Sequence, residues 1–350
     1  MTSKKRVAIL FGGQSSEHEI SCISAGGILS AIDRSLFEPI LIGITRDGKW
    51  VLVDQSTPLK LVNGKLPEVD SSLPAIDADI HGFKVDGKPL KIDVLFPLLH
   101  GPYGEDGTVQ GLCEMAGIRY VGSGVLASAV AMDKSFAKPI FQAAGLNVAP
   151  GIVLKKGEWS AGQIEKLSYP LFVKPARSGS SRGTSKVKSF EQLVGAIELG
   201  FEFDTKVLLE EAVIGREIEC GVLETAGTAF ASPIGQIKIL GNHEFYDFEA
   251  KYLDDATTVL FPSDLPVGVE EEIQRQAVTA FKALSCEGLA RVDFFYSNTG
   301  EIIINELNTM PGFTPTSMFS KLWERAGVSY SQVITRLLEA ALARSAHVTR

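Results

Sequence analysis

A short apolar run from Arg6 to Phe11 ends in Gly12-Gly13-Gln14-Ser15-Ser16 and gives way to a helical pattern from about Glu17. A buried strand, a glycine turn and a helix in direct succession open an α/β unit. The next apolar runs are Phe37 to Thr45, closed by an Asp47-Gly48 hairpin turn, and Ile92 to Leu98, which ends at His100. Strands alternating with helices predict a doubly wound parallel sheet as the N-terminal domain, residues 1–131. Ligands of such sheets sit beyond the carboxyl ends of the strands, where Gly12 to Glu17 and His100 to Gly107 fall. Ser16 and Glu19 have capping-box spacing, so Glu19 is expected to cap the helix, which leaves Glu17 available for chemistry.

A chain of 350 residues, 45% hydrophobic and 22% charged, is long enough for two or three domains with substantial cores. Its net charge of -8 opposes a sequence-independent grip on nucleic acid or anionic lipid, so neither is an expected partner. Cys22, Cys113, Cys220 and Cys286 form no CxxC pair, which points away from zinc knuckles and disulfide frameworks and fits a reducing cytoplasm. Although Lys4, Lys5 and Arg6 precede the first apolar run, that run is too short for a secretory signal, and no apolar stretch is long enough to span a membrane.

The second and third parts are expected at 132–217 and 218–350. A helix from about Ser135 to Ala144 precedes strands at Leu171 to Lys174 and Val207 to Glu210. Between them runs Pro175-Ala176-Arg177-Ser178-Gly179-Ser180-Ser181-Arg182-Gly183-Thr184. GxxxxGK followed by Ser or Thr does not occur, so a P-loop is excluded. Lys174 at a strand end, followed by a loop rich in backbone N–H groups and hydroxyls, suits a polyphosphate; a solvated surface loop is the plain alternative. Leu240 to Thr258 is a long polar insertion that reads as a lid. Helices are expected near Val269 to Leu284, Ser317 to Ala326 and Tyr330 to Ala343.

The most informative segment is a hairpin: Arg291 to Tyr296, a turn at Ser297 to Gly300, then Glu301 to Asn308. Period-two alternation sets Arg291 and Asp293 on one face of the first strand, and Glu306 and Asn308 on one face of the second. Hard oxygen donors from Asp293, Glu306 and Asn308 suit magnesium bridging nucleotide phosphates, and Arg291 suits a developing oxyanion. A salt bridge between strands would explain Arg291 and one acid, but not the second acid and Asn308.

The segments FGGQSSEHEIS (Phe11 to Ser21), HGPYGEDGTVQG (His100 to Gly111), MDK (Met132 to Lys134), VKPARSGSSRGTS (Val173 to Ser185), FYDFEAKY (Phe245 to Tyr252), ARVDFF (Ala290 to Phe295) and NELNTMPGFTPTS (Asn305 to Ser317) resemble the D-alanine:D-alanine ligase family. Seven motifs in the family's order span nearly the whole chain. The resemblance implies a two-part ATP-grasp fold after the N-terminal domain, and a cytoplasmic, homodimeric enzyme of peptidoglycan synthesis. It would join two D-alanines at the expense of ATP, with two Mg2+ or Mn2+ ions.

Residue by residue, the resemblance puts Lys134, Lys174 and Ser181 at the ATP phosphates. Glu210, Glu211 and Val213 fall at the adenine, Glu217 at the ribose, and Asp293, Glu306 and Asn308 at the metals. Glu17 would hold the ammonium of the first D-alanine and form a hydrogen-bonded set with Ser180 and Tyr252 that shuts the lid, with His100 nearby as a binding residue. Arg291 and the Gly312 N–H would stabilise the oxyanion. Lys251 and Ser317 would receive the second D-alanine's carboxylate, and Met318 would tune that subsite. Ligases making D-alanyl-D-lactate or D-alanyl-D-serine share the fold; Tyr252 argues for the dipeptide.

Overall fold

The computed structural model describes residues 3–239, 257–262 and 264–345. The first strand, β1 (Lys5–Gly12), lies between β2 (Phe37–Ile44) and β7 (Val94–Pro97), parallel to both, and β3 (Trp50–Val53) adds an antiparallel edge. Every residue of β1 from Val7 to Phe11 is fully buried, as a parallel strand covered on both faces must be. Val7, Ile9 and Phe11 enter one core with helix α1 (His18–Ala31); Ala8 and Leu10 enter another with α2 (Thr108–Ala116). Helices therefore cover both faces, the expected doubly wound arrangement. A small antiparallel sheet of β4 (Ile76–Asp79), β5 (Gly82–Val85) and β6 (Lys88–Pro89) closes the second core through Ile76 and Phe83.

After α3 (Val125–Met132) and α4 (Lys134–Ala143), a second sheet forms in the order β10-β9-β11-β8, antiparallel throughout. Its strands are β8 (Gly151–Lys155), β9 (Leu171–Pro175), β10 (Ser185–Val187) and β11 (Lys206–Glu211). Helix α5 (Phe190–Phe203) lays Leu193, Ile197 and Phe201 against Leu171, Val173, Val207 and Leu209.

The third sheet runs β14-β13-β12-β15-β16, with β12 (Gly215–Thr225), β13 (Thr228–Ile239), β14 (Thr257–Leu260), β15 (Leu289–Ser297) and β16 (Ile302–Asn308). The expected domain boundary after residue 217 falls inside β12, which pairs with β15 from Gly215 onward. On one face, Ile273, Ala277 and Phe281 of α6 (Val269–Ala283) pack on Ile218, Cys220 and Val222. On the other, Phe319 and Trp323 of α7 (Met318–Arg325) and the apolar side of α8 (Tyr330–Ala343) join the core that holds Val7, Ile9 and Phe11. The first and third sheets thus share one core, and their loops are held in fixed relation.

The four cysteines are buried and unbridged, and burial pushes each thiol up to about 12, so they behave as small apolar residues. Among the described residues no helix is long and apolar enough to cross a membrane.

Candidate active site

The turn from β1 into α1 depends on glycine. Gly12 has φ +87° and Gly13 φ +98°, and a Cβ on Gly12 would lie 2.3 Å from the Ile44 carbonyl oxygen, so only glycine lets β1 run this close to β2. Ser21 of α1 ties the strand ends together: its hydroxyl accepts from the Gly12 N–H at 2.8 Å and donates to the Leu98 carbonyl at 2.6 Å. Glu17 is the N-cap residue, but no side chain caps this helix. Glu19 therefore departs from the capping-box expectation; its carboxylate pairs instead with Arg46, a partner 27 residues away that helix-end spacing could not reveal.

The Glu17 carboxylate sits where two loops meet. Added Cβ atoms on Gly101 and Gly179 would come within 3.3 and 3.4 Å of its Oε2, and the Ser180 hydroxyl donates to its Oε1. Ser180 and Ser181 have φ +50° and +58°, left-handed conformations unusual for serine, so this loop holds backbone strain where it crosses to Glu17. His100 is buried beside it, its Nδ1 at 3.2 Å from the Met310 carbonyl and its Nε2 at 3.5 Å from the Ser24 hydroxyl. Burial pulls its pKa below the ordinary value although Glu17 opposes this, so the ring is neutral at pH 7. Glu105 completes the cluster. It accepts from the Gly101 N–H at 2.6 Å and from the Met310 N–H, and burial together with the Glu17 charge raises its carboxyl to about 8.

A cleft opens between the second and third sheets. The hairpin reading holds at its floor: Arg291 lies opposite Asn308, and Asp293 opposite Glu306. Ala290, Val292 and Phe294 turn into the core from β15, and Ile302, Ile304 and Leu307 from β16. The register shifts after Asp293 because Asn305 is an extra residue in β16, so Asn305 and Glu306 both line the cleft despite being neighbours.

Every charge on this floor has a counter-charge. Arg291 makes a bidentate pair with Asp293, Nε to Oδ1 and Nη2 to Oδ2, both 2.7 Å, and its Nε is 3.1 Å from Glu219 Oε2. Asn308 donates to Asp293 Oδ2 at 3.0 Å. Lys134 reaches Glu306 Oε2 at 2.9 Å and the Ser178 carbonyl at 3.1 Å. Lys174 lies 2.9 Å from Glu210 Oε2 and donates to Asn305 Oδ1 at 3.0 Å. Arg291 pairs with Asp293 within its own strand, and the salt bridge between strands that it makes goes to Glu219 of β12, outside the hairpin; both coexist with Glu306 and Asn308.

The Glu210 carboxylate lines the same cleft and is held by Lys138 and Lys174. Glu211 accepts from the Ser168 N–H at 2.9 Å, while Val213, Glu217 and Ser181 line the cleft. Ser317 is the N-cap residue of α7, and its hydroxyl donates to the Thr314 carbonyl at 2.8 Å; a Cβ on Gly312 would lie 3.9 Å from its Cβ. Met318 packs its sulfur over Gly235 of β13. Lys251, Tyr252 and nearly all of the 240–258 segment lie outside the described residues.

Asp293, Glu306 and Asn308 offer the hard oxygen set that Mg2+ prefers, on paired strands and in register. Among the described residues, no three His, Cys, Asp or Glu side chains converge closely enough to form a metal cage by themselves. That is compatible with an ion held by one or two carboxylates together with substrate phosphate oxygens.

The signatures described as "D-ala D-ala ligase N-terminus" and "D-ala D-ala ligase C-terminus" match residues 6–123 and 140–339. The chain belongs to the D-alanine–D-alanine ligase family. A D-alanine–D-alanine ligase of Arthrobacter sp. (strain FB24) is 48% identical over 363 residues, covering 98% of this chain and 95% of that one. Among solved structures, the VanG D-Ala:D-Ser ligase from Enterococcus faecalis superposes with a TM-score of 0.86 at 37% identity, covering 97% of this chain and 100% of that one. The D-alanine-D-alanine ligase from Coxiella burnetii gives 0.82 at 33%, covering 97% and 95%.

Sequence reasoning missed Glu219, Asn305, Lys138 and Glu105. Glu219 carries a signal, standing two residues after Glu217 on a strand, and Lys138 another, one helical turn after Lys134. Asn305 carries none, because a bulge breaks the alternation that would place it.

Proposed function

We infer that this chain ligates two D-alanines to D-alanyl-D-alanine with conversion of ATP to ADP and phosphate. The observation that carries this reading is the charged floor of the cleft, where Lys134, Lys174 and Arg291 line one pocket beneath a serine loop tied to Glu17. Three cations around a tetraanionic nucleotide suit phosphoryl transfer, and a carboxylate beside the cleft suits an amino acid's ammonium. Family membership supplies the D-configuration and the product.

The carboxylate of the first D-alanine attacks the γ-phosphorus of ATP, ADP leaves, and a D-alanyl phosphate forms. The second D-alanine, as its free amine, then attacks the acyl carbon, phosphate departs with the acyl–oxygen electron pair, and the nitrogen's surplus proton leaves with that phosphate. Lys134 and Lys174 neutralise the polyphosphate, with Ser181 alongside, while Glu211, Val213 and Glu217 border the nucleoside. Arg291 and the Gly312 N–H stabilise the tetrahedral oxyanion. Glu17 positions the first ammonium with His100 beside it, and Tyr252 joins Ser180 and Glu17. Lys251 and Ser317 receive the second carboxylate, with Met318 behind them. Asp293, Glu306 and Asn308 would hold the magnesium ions, whose positive charge offsets that of the phosphates. The 240–258 segment serves as the lid that keeps water from the acyl phosphate.

In this reading residues 1–131 bind substrate, 132–217 and 218–350 form the two parts of the ATP-grasp, and the enzyme is a cytoplasmic homodimer of peptidoglycan precursor synthesis. A D-alanyl-D-serine product is the second reading, favoured by the likeness to VanG. The test is incubation of the purified chain with ATP, Mg2+ and D-alanine, L-alanine, or D-alanine plus D-serine or D-lactate, following phosphate release and product mass. D-alanyl-D-alanine formed from D-alanine alone is expected. ATP bound with no product from any mixture overturns the reading.

A further inference from the structure

The cleft contains a lysine that the reading above leaves without a task. Lys138 follows Lys134 by one turn of α4, and its Nζ lies 2.6 Å from Glu210 Oε1. The other oxygen of the same carboxylate is 2.9 Å from Lys174 Nζ. Both members of the Lys138–Glu210 pair are deeply enclosed, with side-chain exposures of 9% and 3%. One buried anion is thus shared by two cations, of which Lys174 also reaches across to Asn305 on the third sheet.

We propose that Lys138 is a positioning residue: it stays with Glu210 as a permanent counter-ion, so that Lys174 can turn from that carboxylate to a nucleotide phosphate without leaving a buried anion unpaired. This rests on the nucleotide reading of the cleft. A buried carboxylate deprived of its only partner pays a heavy desolvation penalty, and a lone lysine beside it would be retained rather than released. Two lysines change the balance. When phosphate oxygens arrive, the pairing becomes one carboxylate to Lys138 and one phosphate to Lys174, and neither charge is stranded.

The protonation preferences agree. Burial works to raise the Glu210 carboxyl, yet Lys138 first and Lys174 second hold it at about 2. Burial draws the Lys138 ammonium below its ordinary pKa, and Glu210 opposes this. The pair belongs together as an ion pair.

The experiment is calorimetric titration of the full chain with MgATP and, separately, with adenosine, which has no phosphate. Lys138→Met is expected to weaken ATP about tenfold or more and to leave adenosine within about twofold, because the loss falls on the phosphate contact of Lys174. The double variant Lys138→Met with Glu210→Gln is expected to recover ATP affinity to within about threefold of the unaltered chain, since no anion then holds Lys174 back. Lys138→Arg should behave nearly as the unaltered chain.

Unchanged ATP affinity in Lys138→Met overturns the inference. So does a double variant as weak as the single one, which would make Lys138 a phosphate ligand. Parallel loss of adenosine binding would make its role structural and also overturn it. An unaltered chain that binds neither ligand would instead refute the nucleotide reading itself, and this inference with it.

Discussion

Ser180 donates its hydroxyl hydrogen bond to Glu17 across 163 residues of sequence, joining the loop after β9 to the N-cap residue of α1. Neither residue has a reason to meet the other except that the loop is drawn over the end of the first sheet. A hydrogen bond to a charged group contributes about 1.5–3 kcal/mol, so Ser180→Ala should lower kcat/KM for D-alanine by about 10- to 100-fold. It should also speed tryptic cleavage at Arg177 and Arg182. Steady-state kinetics and timed digestion check this, and unaltered values in both would show that the contact does not close the loop.

Arg291 faces two acids, Asp293 and Glu219. If it also stabilises the tetrahedral oxyanion, Arg291→Ala should cut kcat by about 100- to 1000-fold while ATP affinity changes far less. Because removal takes a close cation from the buried Glu219 and the half-buried Asp293, the variant should also lose about 1–3 kcal/mol of stability, and its activity should be measured well below its melting temperature. Near-normal turnover would refute the oxyanion role.

Glu105 should make stability fall as pH rises through neutrality. Its folded carboxyl titrates at about 8 against an ordinary 4.5, so the folded state binds the proton more tightly than the unfolded chain does. Between these values its contribution declines with a slope approaching about 1.4 kcal/mol per pH unit. Glu105→Gln removes this slope: relative to the unaltered chain, the variant should be more stable at pH 8 than at pH 5. Chemical denaturation across that range measures the difference, and parallel stability curves would contradict it.

Gly221 packs closely against the helix that covers one face of the third sheet. A Cβ there would lie 3.0 Å from Trp323 Nε1, 3.2 Å from Phe319 Cε2 and 3.2 Å from Ser232 Oγ, among side chains that are themselves buried. Gly221→Ala should therefore cost about 1–3 kcal/mol through overpacking, read as a lowered denaturation midpoint with an unchanged slope.

The parts of the fold governed by local pattern were legible. The unbroken apolar run of β1, buried on both faces, predicted a parallel strand, and alternation along Arg291 to Tyr296 predicted which side chains face the cleft. What could not be read depends on distant approach. Glu19 looked like a cap because its nearest sequence neighbours allow one, and Arg46 arrives only when β2 pairs with β1. Glu210 sits on a strand whose spacing says nothing of α4, so its capture by Lys138 was invisible, and the boundary placed after residue 217 cut a strand that alternation alone does not delimit. The family motifs located the lysines, acids and serines, but not their pairing.

Asn305 is the one residue of β16 without a partner in the ladder to β15. A chain lacking it would zip the two strands together without interruption, and nothing in the core beneath would object. Selection for a smooth hairpin alone would therefore discard it, and with it the contact to Lys174. Its retention is the mark of a compromise in which the ladder gives up regularity so that two successive side chains can serve the same cavity.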